Sequence, residues 1–173
     1  MTDKPRIELK AIQFSEFASR ETHCFTASLF VDGRRWGTVS NDGCGGADNF
    51  HGVDGRTYAH INILNERIAA TYPKVDLGEG LGTVSASLEL ICADLVTTFL
   101  LSKDLKRALS KNLLFTRSDK AGVFQIPLTQ KGRPYSHDAV ARAVQADKPG
   151  FVSLNALPFE EALAIYRTAA GPA

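Results

Sequence analysis

The chain has 173 residues, 44% of them hydrophobic and 23% charged, with a formal net charge of +1. That length and apolar fraction suit one globular domain, 1–173, with a core of its own, and the near-neutral charge excludes a global attraction to nucleic acid or a membrane surface. Three cysteines without CxxC spacing exclude a disulfide framework and point to a reducing compartment.

The first residues, MTDKPRIELK, are charged and lack the apolar run of a signal peptide. Arg6–Phe14 has strand character, and its apolar parity switches near Lys10-Ala11, which predicts a bulge. Ser15–Thr22 is a polar connection. Phe25, Ala27, Leu29 and Val31 then alternate with polar or outward positions, and Asp32-Gly33 supplies a hairpin turn. Trp36–Ser40 is the return strand; a two-residue turn places Leu29 opposite Trp36, on the buried face. Strands joined this closely form an antiparallel meander.

From Gly55 the period becomes helical. Tyr58, Ile61, Leu64, Ile68 and Tyr72 form one stripe, with Asp54 as N-cap and Pro73 as terminator. Lys74–Gly82 reads as a loop and marks a candidate subdivision near 74–84. A core helix is expected from Ser85, burying Leu88, Ile91, Leu95 and Phe99. Ser102 then caps a separate helix over Lys103–Lys111. The longest apolar stretch, Leu88–Leu101, is broken by Glu89 and Asp94 and is too short to span a bilayer. Leu113–Arg117 and Val123–Leu128 bracket turn chemistry and predict a second hairpin. Gln130–Tyr135 reads as a loop. Ser136 caps a helix that Pro149-Gly150 breaks, Phe151–Leu154 is extended, and Pro158 opens a last helix with Phe159, Ala162, Leu163 and Tyr166 inward. The sum is an α+β fold: an N-terminal antiparallel meander packed on helices, with another hairpin in the C-terminal half.

The loop Asn41-Asp42-Gly43-Cys44-Gly45-Gly46, followed by Asp48, Asn49 and His51, concentrates polar groups. Its glycines suit an anion nest or a wide turn, but neither the Walker A nor the dinucleotide pattern is present. Asp42, Asp48 and His51, with Asp54, supply hard oxygen and imidazole donors of the types that bind Mg²⁺, Mn²⁺ or Zn²⁺, although their spacing matches no metal motif and Asx-Gly pairs are ordinary turn formers. Cys44 with His51 has the residue types of a nucleophile and base, without an oxyanion hole to accompany them. Cys24 and Cys92 sit in apolar patterns as small core residues.

Residues 102–142 carry nine Lys/Arg against three Asp/Glu. Lys103, Lys106, Arg107, Lys111 and Arg117 form a basic face that suits phosphate contacts, but no aromatic residues are interleaved for stacking. Arg34-Arg35-Trp36 resembles a nucleic-acid wedge, an idea set aside because Trp36 has buried-face parity in the expected register.

The segment VDG-x₃-G-x₃-NDGCGG with Asn49-Phe50-His51 resembles the N-terminal half of uncharacterised proteins from bacteria and their phages. Lys103–Arg107 and Leu154–Leu163 resemble that group's endings. The resemblance implies a bacterial or mobile-element source and carries over no activity.

The expected function is therefore non-enzymatic binding of a macromolecular partner in the cytoplasm, foremost a protein, through Asp42, Asp48, Asn49 and His51. No cofactor and no membrane are expected. A metal-dependent hydrolase or nuclease using Asp42, Asp48 and His51 is one alternative. A nucleic-acid module using the basic 102–142 face is the other.

Overall fold

The computed structural model describes residues 3–76, 78, 80–130, 132–146, 148 and 150–170. It is an α+β chain, as the patterning predicts. Two compact units divide it, Met1–Thr97 and Thr98–Ala173.

The first unit opens with four antiparallel strands in the order of the chain: β1 (Ile7–Ser15), β2 (Cys24–Val31), β3 (Arg34–Asn41) and β4 (Asn49–Gly52). The β1–β2 register shifts between Lys10 and Gln13, and Ala11 takes a positive φ there, so the predicted bulge is present. Asp32 and Gly33 both have positive φ, the conformation a two-residue hairpin turn demands. Asp32 also accepts the Arg6 N–H at 2.8 Å and forms an ion pair with Arg67 at 3.5 Å. One face of the sheet is apolar and closed, with Ile7, Phe25, Ala27, Leu29, Val31 and Val39 all buried.

The pairing across β2 and β3 corrects the sequence-based register. Phe30 faces Arg35 and Leu29 faces Gly37, so the ladder skips Trp36. An extra residue in one strand bends it and re-aims a side chain. Gly37, not Trp36, therefore occupies the position opposite Leu29. Glycine is required there, because a Cβ would lie 2.1 Å from the His51 carbonyl oxygen of β4. Trp36 is only partly buried.

After the sheet comes α1 (Tyr58–Thr71), which buries Ile61, Leu64 and Ile68 but leaves Tyr58 exposed. The N-cap is Thr57 rather than Asp54: the Thr57 N–H donates to His60 Nδ1 at 3.1 Å, while Asp54 adopts a positive φ in the preceding turn. The chain turns out of α1 at Tyr72, before Pro73, as expected. The expected 74–82 loop contains β5 (Val75–Asp76), which pairs with β6 (Thr83–Val84); Leu77 and Glu79 lie outside the described residues.

One helix, α2 (Leu88–Lys111), replaces the two expected over 85–101 and 103–111. No glycine or proline interrupts those 24 residues, so Ser102 continues the helix instead of capping a new one. The Leu88 N–H finds its acceptor on Asn65 Oδ1 of α1 at 2.7 Å, a cap from another element. The buried row is Leu88, Cys92 and Val96, with Leu105 further on; Ile91, Leu95 and Phe99 are only partly buried. Apolar residues on several sides of this helix leave period alone unable to choose between the two rows.

In the second unit β7 (Asn112–Thr116) pairs with β8 (Phe124–Pro127), the expected hairpin. β9 (Thr129–Gln130) and β10 (Arg133–Pro134) form a further small ladder where a plain loop was expected, Lys131 lying outside the described residues. Next come α3 (His137–Gln145), preceded by Ser136 at the N-cap, then β11 (Val152–Ser153) on the free edge of β7 and α4 (Phe159–Ala170) after Pro158. Pro149, the expected breaker, lies outside the described residues. Leu105, Leu114, Leu154, Ala162 and Leu163 form this unit's core. Asn155 ties it together: its Oδ1 accepts the Leu114 N–H at 2.8 Å, and its Nδ2 donates to the Leu109 and Asn112 carbonyls at 3.1 and 3.0 Å.

The continuity of α2 has a direct test. Lys103 is exposed, and apart from its contact over the Phe99 ring, worth about 0.5–1 kcal/mol at an exposed site, Lys103→Pro removes little packing. In a helix interior proline costs about 3 kcal/mol or more, whereas at a first helical position it is well tolerated. Chemical denaturation of Lys103→Pro should show the large loss; wild-type stability would mean that the helix restarts at Ser102.

Candidate functional site

The glycine-rich loop joins β3 to β4, and its centre is Asn41, which is 7% exposed. Asn41 Oδ1 accepts the Gly43 N–H at 2.9 Å and the Thr22 hydroxyl at 2.7 Å. Its Nδ2 donates to the Gly46 carbonyl at 2.9 Å and to Asp48 Oδ1 at 3.0 Å. The Gly43 carbonyl in turn accepts the Arg20 and Glu21 N–H groups, both at 2.9 Å. Gly43 has a positive φ, and a Cβ there would lie 2.2 Å from the Ala18 carbonyl oxygen. Asp42 Oδ1 accepts the Cys44 N–H at 3.0 Å, an Asx turn. The loop's polar groups are thus largely spent on holding its own path and the β1–β2 connection.

Asp48 is the exception within it. Its N–H donates to Glu89 Oε1 of α2 at 3.1 Å, while its own Oδ2 is buried and has no partner among the described residues. Burial holds the Asp48 carboxyl above its usual range; the Asn41 hydrogen bond opposes this and the Glu89 charge adds to it. The Cys92 thiol, buried nearby, is pushed far up by desolvation and by those two carboxylates, which makes it unreactive.

Asn49 and His51 stand exposed on β4. His51 is the last position of a row that crosses the whole sheet, Lys10–Ser28–Thr38–His51, and a neighbouring row runs Glu8–Phe30–Arg35. By strand alternation these rows share the face opposite the buried one. It is the solvent face, since Lys10, Thr26, Asn49 and His51 are exposed and Phe30 and Trp36 partly so. Lys10 Nζ lies 4.2 Å from the centroid of the Phe30 ring. At the β4 edge a cleft of about 370 Å³ opens, lined by Trp36, Phe50, His51, Arg56, Tyr58 and Ile61 among others. The Arg56 guanidinium sits 5.7 Å from the Trp36 ring centroid, held by the Val53 carbonyl at 3.0 Å and by Asp54 at 3.3 Å.

The sequence candidates therefore part company. Asp42 and Asp48 belong to the loop scaffold, whereas Asn49 and His51 belong to the solvent-facing strand. Among the described residues no group of three His, Cys, Asp or Glu side chains lies close enough to hold a metal ion, so Asp42, Asp48 and His51 do not form one donor set. Cys44 is exposed with its Sγ 4.0 Å from the Asp42 carbonyl oxygen, and no hydrogen bond joins it to His51 among the described residues. On the basic face Lys103, Lys106, Arg107 and Lys111 are exposed. Lys103 and Lys106 lie over the rings of Phe99 and Phe159, and Arg117 is engaged by both carboxylate oxygens of Asp119. That pair holds the Asp119 carboxyl below its usual range.

Trp36, Arg56 and Tyr58 were not among the sequence candidates. Gly37 is the signal that could have found them, because an isolated glycine inside a strand pattern marks a bulge or a close backbone approach. Asn41 likewise was legible only as one more turn former. Comparison with protein-family models, curated proteins and solved structures returned no match.

Two substitutions separate scaffold from surface. Asn41→Ala leaves buried donors and acceptors unpaired, each costing about 1–3 kcal/mol, so urea denaturation should show a loss of at least about 2 kcal/mol. For Asp48, a folded-state pKa above the unfolded one means that the native state binds the proton more tightly, and stability falls as pH rises through the folded value. Asp48→Asn removes that charge and offers an amide in place of the unpartnered oxygen. It should raise the melting temperature at neutral pH, with the gain fading as pH approaches about 4. An unchanged or lower melting temperature at neutral pH refutes this electrostatic account.

Proposed function

We propose that this chain is a non-enzymatic binding protein that holds a macromolecular partner on the solvent face of the β1–β4 sheet and in the cleft beside β4. The observation that carries this reading is the company His51 keeps: two aromatic residues, Trp36 and Tyr58, and the tethered Arg56 line one cleft with it, and Phe50 borders it from the other face of β4. Tyr58 is 69% exposed, an amphipathic ring offered to solvent, of the kind enriched where proteins bind. The hydrolase or nuclease alternative draws less support, because Asp42 and Asp48 spend carboxylate oxygens inside the loop. The basic-face alternative draws less as well, since Arg117 is tied to Asp119.

We also propose a cytoplasmic location, which the three free thiols support.

The test is partner capture by tagged protein from lysate of the source organism, read against thermal melting. His51→Ala and Tyr58→Ala should each abolish or sharply reduce capture with little change in melting temperature. Asp42→Ala should leave capture by the folded protein intact. Capture that survives both cleft substitutions overturns the assignment of this face.

A further inference from the structure

We infer that the solvent face of the β1–β4 sheet and its edge cleft form a site for single-stranded nucleic acid; this rests on the binding role proposed above and names its partner. The bulge is where the case begins. In the regular register Trp36 would be buried against Leu29, and the Arg34-Arg35-Trp36 tip would be only charge on a turn. The observed ladder skips Trp36 and leaves it partly exposed, immediately after two exposed arginines. What a single-strand binder needs is cations to track the phosphates and aromatic faces on which bases stack in a sequence-tolerant way. Both are interleaved here.

Phe30 carries Lys10 over its ring, Trp36 carries Arg56, and Phe30 stands directly across the ladder from Arg35. Trp36 lies between the Glu8–Phe30–Arg35 row and the Lys10–Ser28–Thr38–His51 row, and the second row ends at the cleft, where Tyr58 adds an exposed ring. Hydroxyl, imidazole and cationic donors beside π-faces suit a strand whose backbone is anionic and whose bases are unpaired. At about 370 Å³ the cleft lies at the small end of ligand sites, in keeping with one nucleotide held while its neighbours lie on the sheet.

The acidic groups nearby are accounted for. Glu8 is paired with Arg6 at 2.8 Å, Asp32 with Arg67 at 3.5 Å and Asp54 with Arg56 at 3.3 Å. The Asp54–Arg56 pair is exposed on its carboxylate side and weak enough for a phosphate to compete for the guanidinium. Arg34 and Arg35 enter no ion pair among the described residues.

The chain's single tryptophan makes the test direct, because Trp36 fluorescence reports the site alone. The full-length protein is titrated with oligodeoxythymidylate and oligodeoxyadenylate about 12 nucleotides long, within the usual site sizes of single-strand binders. Heparin serves as a polyanion without bases. The expected result is quenching by both oligonucleotides, little quenching by heparin, and affinity that falls steeply between about 50 and 200 mM salt. Tyr58→Ala should weaken oligonucleotide binding roughly 5- to 140-fold, the range for loss of one stacked base. Arg35→Ala should flatten the slope of log affinity against log salt by about 0.7, the value for a single neutralised phosphate.

Two results overturn the proposal. Heparin binding as tightly as the oligonucleotides, without quenching, would leave charge alone and no stacking site. Absence of oligonucleotide binding by folded wild-type protein would rule out this partner. In that case the capture experiment with His51→Ala and Tyr58→Ala tells whether the face binds something else, a protein above all, or nothing.

Discussion

The carboxamide of Asn41 is the constraint on which the N-terminal unit hangs. Among the described residues it is the buried polar side chain, and a group so placed is costly unless both its donors and its acceptor are satisfied. Its four bonds reach three segments: Gly43 and Gly46 within the loop, Thr22 in the β1–β2 connection and Asp48 at the approach to β4. The amide fixes how far the chain wanders between β3 and β4, and so where Asn49 and His51 fall on the sheet. Glycine at 43 follows from that geometry, since the loop passes against the Ala18 carbonyl with no room for a side chain. The polar density that makes this loop conspicuous is consumed in building it.

A second constraint acts at Gly37. With the β4 backbone against it, no larger residue fits, and placing glycine opposite Leu29 leaves one residue too many in β3. The surplus is Trp36. One inserted residue thus turns an expected core tryptophan into a partly exposed one and sets it beside Arg56. Core and surface remain separate in the sheet because side chains alternate: Ala27, Leu29 and Val39 close one face while Thr26, Ser28 and Thr38 stay on the other.

Much of this was legible from residues alone. Period-two patterning and Asp32-Gly33 located the first hairpin, the parity switch at Lys10-Ala11 located its bulge, and the turn residues at 118–122 located the second. What escaped has a common physical cause, a partner distant in sequence. Asn65 of α1 accepts the first N–H of α2 while Ser87 accepts the Leu90 N–H, so the start lies two residues past Ser85, and Ser102, with no breaker before it, starts no helix. The β3 bulge depends on backbone contact with β4, a four-residue strand too short and polar to announce itself. The candidate site shows the same pattern. His51 and Asn49 were identifiable as exposed polar residues, but Trp36, Arg56 and Tyr58 join them only through the bulge and the Thr57 cap. Asp42 is the converse case, since a residue of functional type is explained by the Asx turn it stabilises.

Aromatic–cation contact is widespread in this protein and cannot by itself mark a site. Lys4 lies over Tyr72, Lys103 over Phe99, Lys106 over Phe159, and both Arg117 and Lys120 over Phe124. At exposed positions each contributes about 0.5–1 kcal/mol, and the long side chains also shield apolar rings from water. The sheet face differs in how its contacts are arranged. The Lys10–Phe30 and Arg56–Trp36 pairs flank ladder rows whose spacing the backbone sets, and the second borders an open cleft. Rings and cations carried on strands lose less freedom when a ligand arrives than the same groups on a mobile loop, which lowers the ordering cost of binding. The sheet sets where the rings stand, the buried amide of Asn41 anchors the loop leading to its last strand, and the bulge leaves Trp36 partly exposed beside Arg56.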